Sequence, residues 1–159
     1  MSSHIGKDKH LVRLCLYIKT TTDEENGHFL SSSFHLREIK NKIEDYLSCD
    51  LSEFHEKGSL DENICISINN ILNNYFKSKN SEKDKKRYND MKYFAILDTT
   101  SLLEENKSHK NPIDSIKRTN KSHSGIYFNK NNQQIVAMIL SEIANKNKSK
   151  FKDIDLTTL

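Results

Sequence analysis

Apolar residues in this chain recur at two different spacings, and the spacing decides which secondary structure a segment can form. In residues 10–20 apolar and polar side chains alternate, with Val12, Leu14, Leu16 and Ile18 on one side. A period of two predicts a strand with one buried face. Residues 91–98 are almost continuously apolar, which predicts a central strand covered on both faces.

Spacings of three and four predict helices over residues 60–76 and 133–146. The first begins with a capping box formed by Ser59 and Glu62, in which each side chain can satisfy a backbone amide near the helix start. We predict a third helix after Ser33, with apolar positions at helical spacing. Those positions are Leu36, Ile39, Ile43, Tyr46 and Leu47.

Turn and polar segments complete the expected organisation. Asn26-Gly27 is typical of a tight hairpin turn, so residues 28–32 are predicted to return as a strand. Residues 125–129 supply another short strand. We expect residues 1–9 to be flexible, residues 77–90 and 104–124 to be polar loops, and residues 148–159 to form a tail.

The predicted order is β-β-α-α-β-β-α in a single domain over residues 1–159. This order favours an α+β fold with a small, mostly antiparallel sheet of about four to five strands and about three helices on one face. No glycine-rich turn joins a strand to a helix, which disfavours a doubly wound nucleotide-binding fold.

The cysteines and the apolar run lengths indicate a cellular compartment. Cys15, Cys49 and Cys65 are odd in number, and none belongs to a C-x-x-C pair. This disfavours a disulfide framework or a zinc site. The sequence opens with no signal-peptide pattern, and no apolar run approaches the ~20 residues that cross a bilayer. We expect an intracellular protein, cytoplasmic or nuclear, without membrane contact.

No catalytic motif with a defined mechanism occurs in the sequence. The glycine-rich phosphate loops, the nucleophile elbow and paired histidines at helical spacing are all missing, so we expect no cofactor and no metal. Asp98 ends an apolar strand and precedes three hydroxyl residues. It is the candidate catalytic acid, although capping is the usual role of such residues. A cysteine paired with His55 is the other enzymatic alternative.

Basic clusters support a nucleic-acid-binding alternative. The net charge of +3 comes from 25 basic and 22 acidic residues, a balance that does not by itself indicate a nucleic-acid partner. Local clusters are stronger candidates, because loop lysines can neutralise phosphates. The candidate residues are Lys83, Lys85, Lys86, Arg87, Lys117 and Arg118.

A protein-protein interaction subunit is the leading hypothesis. Hydrophobic residues form 35% of the chain, whereas globular proteins average about 45–50% apolar residues. The predicted tail carries Phe151, Ile154 and Leu156, which are candidate partner contacts. We therefore predict a non-catalytic adaptor or subunit of an intracellular multiprotein complex, with a heterodimer as one form. The RNA/DNA-binding accessory protein and the enzyme remain the alternatives.

Overall fold

The computed structural model describes residues 3–16, 29–77, 92–151 and 154, which build one antiparallel sheet with helices packed on it. The elements in chain order are β1 Ser3–His4, β2 His10–Leu16, β3 Glu38–Ile39, β4 Lys42–Ile43, β5 Tyr46–Leu51, α1 Leu60–Lys77, β6 Lys92–Asp98, α2 Thr99–Ser108, β7 Ile113–Asn120, β8 His123–Phe128 and α3 Gln133–Lys150. Six strands form the sheet in the order β1-β7-β8-β5-β2-β6, and β3 and β4 form a separate hairpin.

The predicted α+β class is confirmed, with one strand more in the sheet than the upper expectation of five. The helices divide between the two faces of the sheet instead of sharing one. The central strands explain this, because β6 is apolar on both sides: Phe94 and Ile96 point to one face, while Ala95 and Leu97 point to the other. Both faces therefore need a cover to keep water away from apolar side chains.

The larger core lies under α2 and α3. Alternate residues of β5 and β8 point into it, and the apolar positions of α3 cover them. From the strands it contains Leu47, Cys49, Leu51, Ile126 and Phe128, and from the helices Leu102, Val136, Leu140 and Ile143. These alternations of two in the strands and three to four in the helix are the spacings that amphipathic elements require.

The smaller core lies under α1, on the opposite face. Ile64, Ile68 and Leu72 pack against Val12 of β2 and against β6. The last turns of α3 lie at the outer edge of β6, where Asn147 donates its side-chain amide to the carbonyl of Ile96 at 2.9 Å. Phe151 and Ile154 then join this smaller core. The C-terminal segment thus packs on both faces of the sheet.

The predicted strand over residues 28–32 and the predicted helix after Ser33 are both wrong. A 3-10 turn at Ser31–Phe34 replaces the end of the strand, and the β3–β4 hairpin and strand β5 replace the helix. The hairpin turn places Lys40 and Asn41 at positive φ, a conformation that cannot continue a helix. Within β5, Leu47, Cys49 and Leu51 alternate with polar residues, and this period of two outweighs the accidental helical spacing upstream.

The predicted polar loop over residues 104–124 is also wrong. It contains the end of α2, all of β7 and the start of β8. The core residues of β7, Ile113 and Ile116, lie three apart because a register shift interrupts the strand between Ile113 and Ser115. A bulge of this kind lets both side chains face the core while hiding the period of two.

Several other predictions of helices and strands agree with the structure. The helices over 60–76 and 133–146 and the strands over 10–20, 91–98 and 125–129 are confirmed where the structure describes them. Residues 3–9 are part of the fold and not a flexible end, since β1 pairs with β7 and Ile5 is buried. The predicted Asn26-Gly27 turn and nearly all of loop 77–90 lie outside the described residues. No helix in the described part of the chain is long and apolar enough to span a bilayer.

Candidate functional site

One half of the sheet is left open on the face that carries α1. The smaller core contains residues of β2, β6, α1 and the C-terminal segment, but none from the described β7 or β8. The open half presents a group of side chains that we call the tyrosine face. It consists of Tyr46, Ser48, Lys117, His123, Gly125 and Tyr127.

Strand register brings the tyrosine face together. Tyr46 lies opposite Tyr127, and Ser48 lies opposite Gly125, which in turn lies opposite Lys117 across the next strand pair. Residues directly opposite each other in antiparallel strands project to the same side. These positions alternate with Leu47 and other core residues of the opposite face, so the same pleat that fills the core exposes the tyrosine face.

Gly125 leaves the space that the two tyrosine rings occupy. A Cβ at this position would lie 2.5 Å from Cδ2 of Tyr46 and 2.9 Å from Cε2 of Tyr127. The rings lie 4.8 Å apart between centroids, tilted by 37°, which is within the range of favourable aromatic pairs. Both side chains are nevertheless partly exposed. Two large amphipathic rings therefore stay at the surface in a fixed arrangement.

A lysine and a histidine lie beside these rings. The ammonium of Lys117 lies 4.6 Å from the ring centroid of Tyr127, and the ring of His123 lies 5.8 Å from that of Tyr46. Beyond the tyrosine face, the guanidinium of Arg118 lies 5.2 Å from the ring of Phe54. Phe54 is 42% exposed, so the apolar and basic character continues beyond the tyrosine face.

The Tyr127 phenol is neutral at physiological pH. Burial raises its pKa above the ordinary value of 10.0, and the nearby Tyr46 and Asp45 raise it further. A neutral phenol can donate and accept hydrogen bonds at its tip while its ring packs against apolar groups. This combination is common at protein interfaces.

A cleft opens beside the tyrosine face where two neighbouring strands diverge. β2 and β5 pair only at Leu11–Leu51 and Val12–Asp50, whereas β2 pairs with β6 along its full length. The cleft between β2 and β5 has a volume of about 510 Å³. Its described lining includes Arg13, Leu14, Ser32, Asp50, Asn70 and Ile71. In size it matches the pockets of about 300–1,000 Å³ that bind small ligands.

Arg13 bridges the diverging strands. Its Nη1 donates to the carbonyl of Ser48 at 2.9 Å, and its Nη2 donates to the carbonyl of Ser33 at 3.5 Å. Its Nε is buried without a hydrogen-bond partner, as is the hydroxyl of Ser32. No ion pair to Arg13 occurs among the described residues. A cation is thus held at the cleft with part of its donor capacity unused.

A buried carboxylate forms the end of the cleft. Asp50 is 3% exposed and accepts hydrogen bonds from Asn70 at 2.9 Å and from Ser122 at 2.6 Å. Its second oxygen lies 2.8 Å from Nε2 of His55. A nucleophilic triad needs the hydroxyl on the histidine and the histidine on the carboxylate. Here the carboxylate lies between Ser122 and His55, an arrangement suited to tying four segments together.

The two thiols nearest the cleft are unreactive. Burial raises the pKa of Cys15 to about 11 and that of Cys49 to about 12, against a smaller opposing effect of the Arg13 charge. Both are protonated at physiological pH, and a thiol must be ionised to act as a nucleophile. No hydrogen bond joins His55 to a cysteine in the described part of the chain.

Asp98, the candidate catalytic acid, caps a helix. One oxygen accepts from the backbone amide of Ser101 at 2.9 Å at the start of α2, and the other accepts from Asn147 at 2.8 Å. Burial raises its pKa, but these hydrogen bonds outweigh burial and hold the pKa below the ordinary 3.8. The capping interpretation is confirmed, with a ten-residue helix in place of a turn.

The other predicted site residues are scattered. Lys117 and Arg118 lie beside exposed aromatic rings, as described above, while Lys83, Lys85, Lys86, Arg87 and Leu156 lie outside the described residues. Phe151 and Ile154 are 5% and 8% exposed within the chain's own core. A partner could contact these two only if the segment left the sheet, so their role in partner binding stays a prediction.

Sequence reasoning misses both tyrosines of the tyrosine face. Helical spacing places Tyr46 inside a predicted helix, and the short strand around Tyr127 is predicted from its apolar neighbours alone. The common signal of the two tyrosines is that each stands one residue from a buried core position, Leu47 or Ile126. In strands this places them on the opposite face, but only the pairing of β5 with β8 shows that the two rings meet.

No group of three or more histidine, cysteine, aspartate or glutamate side chains suited to a metal ion occurs among the described residues. Comparison with protein-family models finds no match to this sequence. Comparisons with curated proteins and with solved structures find no significant match either.

Proposed function

We propose that this chain is a non-catalytic interaction subunit that binds a partner protein through the tyrosine face. The observation that carries the proposal is the half-covered sheet: α1 packs over β2 and β6, while the tyrosine pair above Gly125 has no cover among the described residues. Tyrosine and arginine are enriched in the energetically dominant residues of protein interfaces. Tyr46 and Tyr127 supply the first of these residue types on the tyrosine face, and Arg118 lies beyond it beside the exposed ring of Phe54.

The positive charge at the tyrosine face favours a partner protein of different sequence over a second copy of this chain. The ammonium of Lys117 lies over the ring of Tyr127, and in a two-fold symmetric pair of identical chains this surface would meet itself. Like charges would then face one another, which opposes association. A partner with acidic side chains around an apolar centre complements the tyrosine face. The proposal is therefore a heteromeric complex, in an intracellular location that the sequence leads us to expect.

The test compares two exposed apolar positions on opposite faces of the sheet. Tyr127→Asp puts a charge in the tyrosine face, whereas Met138→Asp puts one on α3, where Met138 is 38% exposed. The tagged chain is purified from its native cell, and stoichiometric co-purifying proteins are quantified by mass spectrometry. We expect a stoichiometric partner with the unaltered chain and with Met138→Asp, and its loss by tenfold or more with Tyr127→Asp.

Two results would reject the proposal. One is a folded, monomeric chain with no stoichiometric partner from the native cell. The other is a partner retained equally by all three proteins. Thermal unfolding of the purified variants checks that each is folded, because surface substitutions away from special features usually change stability by less than about 0.5 kcal/mol.

Single-stranded nucleic acid is a second candidate for the same surface. The specific observation is Lys117 above the ring of Tyr127, since bases stack on aromatic rings beside cations that contact phosphate. A fluorescent oligouridylate supplies the test at low and at raised salt. Binding that weakens steeply with salt and is lost in Lys117→Glu would favour this candidate. We expect no such binding, because Tyr46 and Tyr127 pack on each other and leave no gap for a base.

A further inference from the structure

We infer that the cleft between β2 and β5 binds an organic carboxylate on the guanidinium of Arg13. This site is separate from the tyrosine face and does not depend on it for its chemistry. The side chain of Arg13 is half-buried, makes two hydrogen bonds to backbone carbonyls and has no ion pair among the described residues. A partly desolvated guanidinium without a paired anion is a favourable place for a carboxylate to bind.

Neighbouring carboxylates do not neutralise Arg13. Asp50 lies at the same cleft, but its two oxygens are taken by Asn70, Ser122 and His55. Glu44 is held by Arg37, with two contacts of 2.8 and 3.2 Å to one of its oxygens. The Arg13 charge helps to lower the pKa of the Glu44 carboxyl, but neither carboxylate makes an ion pair with Arg13 among the described residues.

The hydrogen-bond donors of Arg13 indicate which kind of anion would bind in the cleft. Its Nε has no partner, and the hydroxyl of Ser32 in the same cleft has none either. The Nε and Nη donors of a guanidinium form a planar fork that matches the two oxygens of a carboxylate. Because Nε is shielded, the donors that a carboxylate in the cleft would meet are the second N–H groups of Nη1 and Nη2, each of which gives one hydrogen bond to a backbone carbonyl.

The cleft walls favour a carboxylate with an apolar stem over a phosphate. Leu14 and Ile71 supply apolar surface, and Asn70 and Asn74 supply amides. A phosphate dianion would approach the Asp50 carboxylate, and of the two guanidinium groups in the lining Arg37 is already paired with Glu44. A singly charged head group with a short hydrocarbon stem matches both the charge and the walls. Such a group can come from a free organic acid or from an acidic side chain of a polypeptide.

The experiment uses hexanoate as the free acid and an acetylated, amidated tripeptide Ala-Glu-Ala as the polypeptide source. Hexanamide is the neutral match, and inorganic phosphate is the competing anion. Binding is followed by the NMR signal of the Arg13 Nε–H group and by titration calorimetry. We expect hexanoate or the peptide to shift this signal, and hexanamide and phosphate to leave it unchanged. Which of the two carboxylates binds more tightly identifies the source.

Arg13→Gln removes the charge while keeping a side chain that can donate a hydrogen bond, and we expect it to weaken carboxylate binding at least tenfold. Lys107→Gln is the control, because Lys107 is an exposed basic residue of α2 that does not line the cleft. It should change affinity less than threefold. Circular dichroism and thermal unfolding confirm that both variants fold.

The inference is overturned if neither carboxylate binds, if hexanamide binds as well as hexanoate, or if Arg13→Gln binds as well as the unaltered chain. None of these results bears on partner binding at the tyrosine face, because Arg13→Gln leaves Tyr46 and Tyr127 in place. Conversely, failure of Tyr127→Asp to release a partner would leave the Arg13 site standing. The two proposals therefore succeed or fail independently.

Discussion

At the scale of single residues, Gly125 determines what the open half of the sheet can present. Any larger residue would direct a Cβ into the rings of Tyr46 and Tyr127. No positive φ is associated with this glycine, so its importance lies in space and not in backbone conformation. The sequence alone shows a glycine in a short strand, which often marks close approach by another group. It cannot show that the group is Tyr46, which is far away along the chain.

Gly125→Ala should therefore displace the tyrosine pair. We expect a loss of about 1–3 kcal/mol in the free energy of unfolding, the usual cost of inserting a methyl group into a filled space. Urea denaturation measures it. Gly6→Ala is the matched control, since a Cβ added at Gly6 would have nothing within 4 Å, and it should change stability by less than about 0.5 kcal/mol.

A double substitution tests whether the stability loss in Gly125→Ala has a steric origin. If the added methyl group acts by striking Tyr46, then Gly125→Ala should cost less in a chain that already carries Tyr46→Ala. Equal costs in both backgrounds would show that the ring does not limit the space at Gly125.

At the scale of elements, the sequence predicts best those segments whose apolar spacing is regular and uninterrupted. Helix α1 shows half of the predicted capping box: the Ser59 hydroxyl accepts from the Glu62 amide at 3.2 Å, while the Glu62 carboxylate accepts from that hydroxyl at 3.3 Å. Strand β7 could not be predicted because its bulge sets Ile113 and Ile116 three apart. Helix α2 is hidden by its polar composition, and its start depends on one capping side chain, Asp98.

Asp98→Asn keeps a side chain that can cap helix α2 but removes its negative charge. Asparagine also caps helices, so we expect a loss of about 1 kcal/mol at pH 7, from weakening the hydrogen bonds to Ser101 and Asn147. The folded pKa of Asp98 lies below its ordinary 3.8. Its ionised form therefore stabilises the fold above that pH, and this contribution is lost as the pH falls through 3.8 and below.

The measurement compares the free energy of unfolding at pH 7 and pH 3 for the two proteins. The variant should lose less stability on acidification than the unaltered chain. Asp114→Asn, at an exposed position of β7, is the control and should follow the unaltered chain at both pH values. An Asp98→Asn protein with undiminished acid sensitivity would show that the cap carries no favourable charge.

At the scale of the whole molecule, the C-terminal segment completes the fold. Asn147, Phe151 and Ile154 lead the chain from one face of the sheet, past the edge of β6, to the other face. A sequence with alternating apolar residues beyond a helix does not reveal whether they bind a partner or their own sheet. The structure uses both described apolar side chains internally. The tyrosine face, whose residues come from distant segments, is not covered by this segment in the described part of the chain.

Phe151→Ala distinguishes these two uses of the segment in the isolated chain. A buried phenylalanine truncated to alanine typically costs about 3–5 kcal/mol, so we expect a loss of about 3 kcal/mol by urea denaturation. Met138→Ala, at an exposed position of α3, should have little effect. Unchanged stability in Phe151→Ala would mean that the segment does not pack on the sheet in solution and is available to a partner.

Hydrogen–deuterium exchange on the complex purified from the native cell tests most directly where a partner binds. Backbone amides of residues 46–48, 115–118 and 123–127 should exchange more slowly in the complex than in the isolated chain, while those of α3 should be unchanged. Protection confined to α3 or to the β6 edge, with no change over the tyrosine face, would contradict the proposed interface.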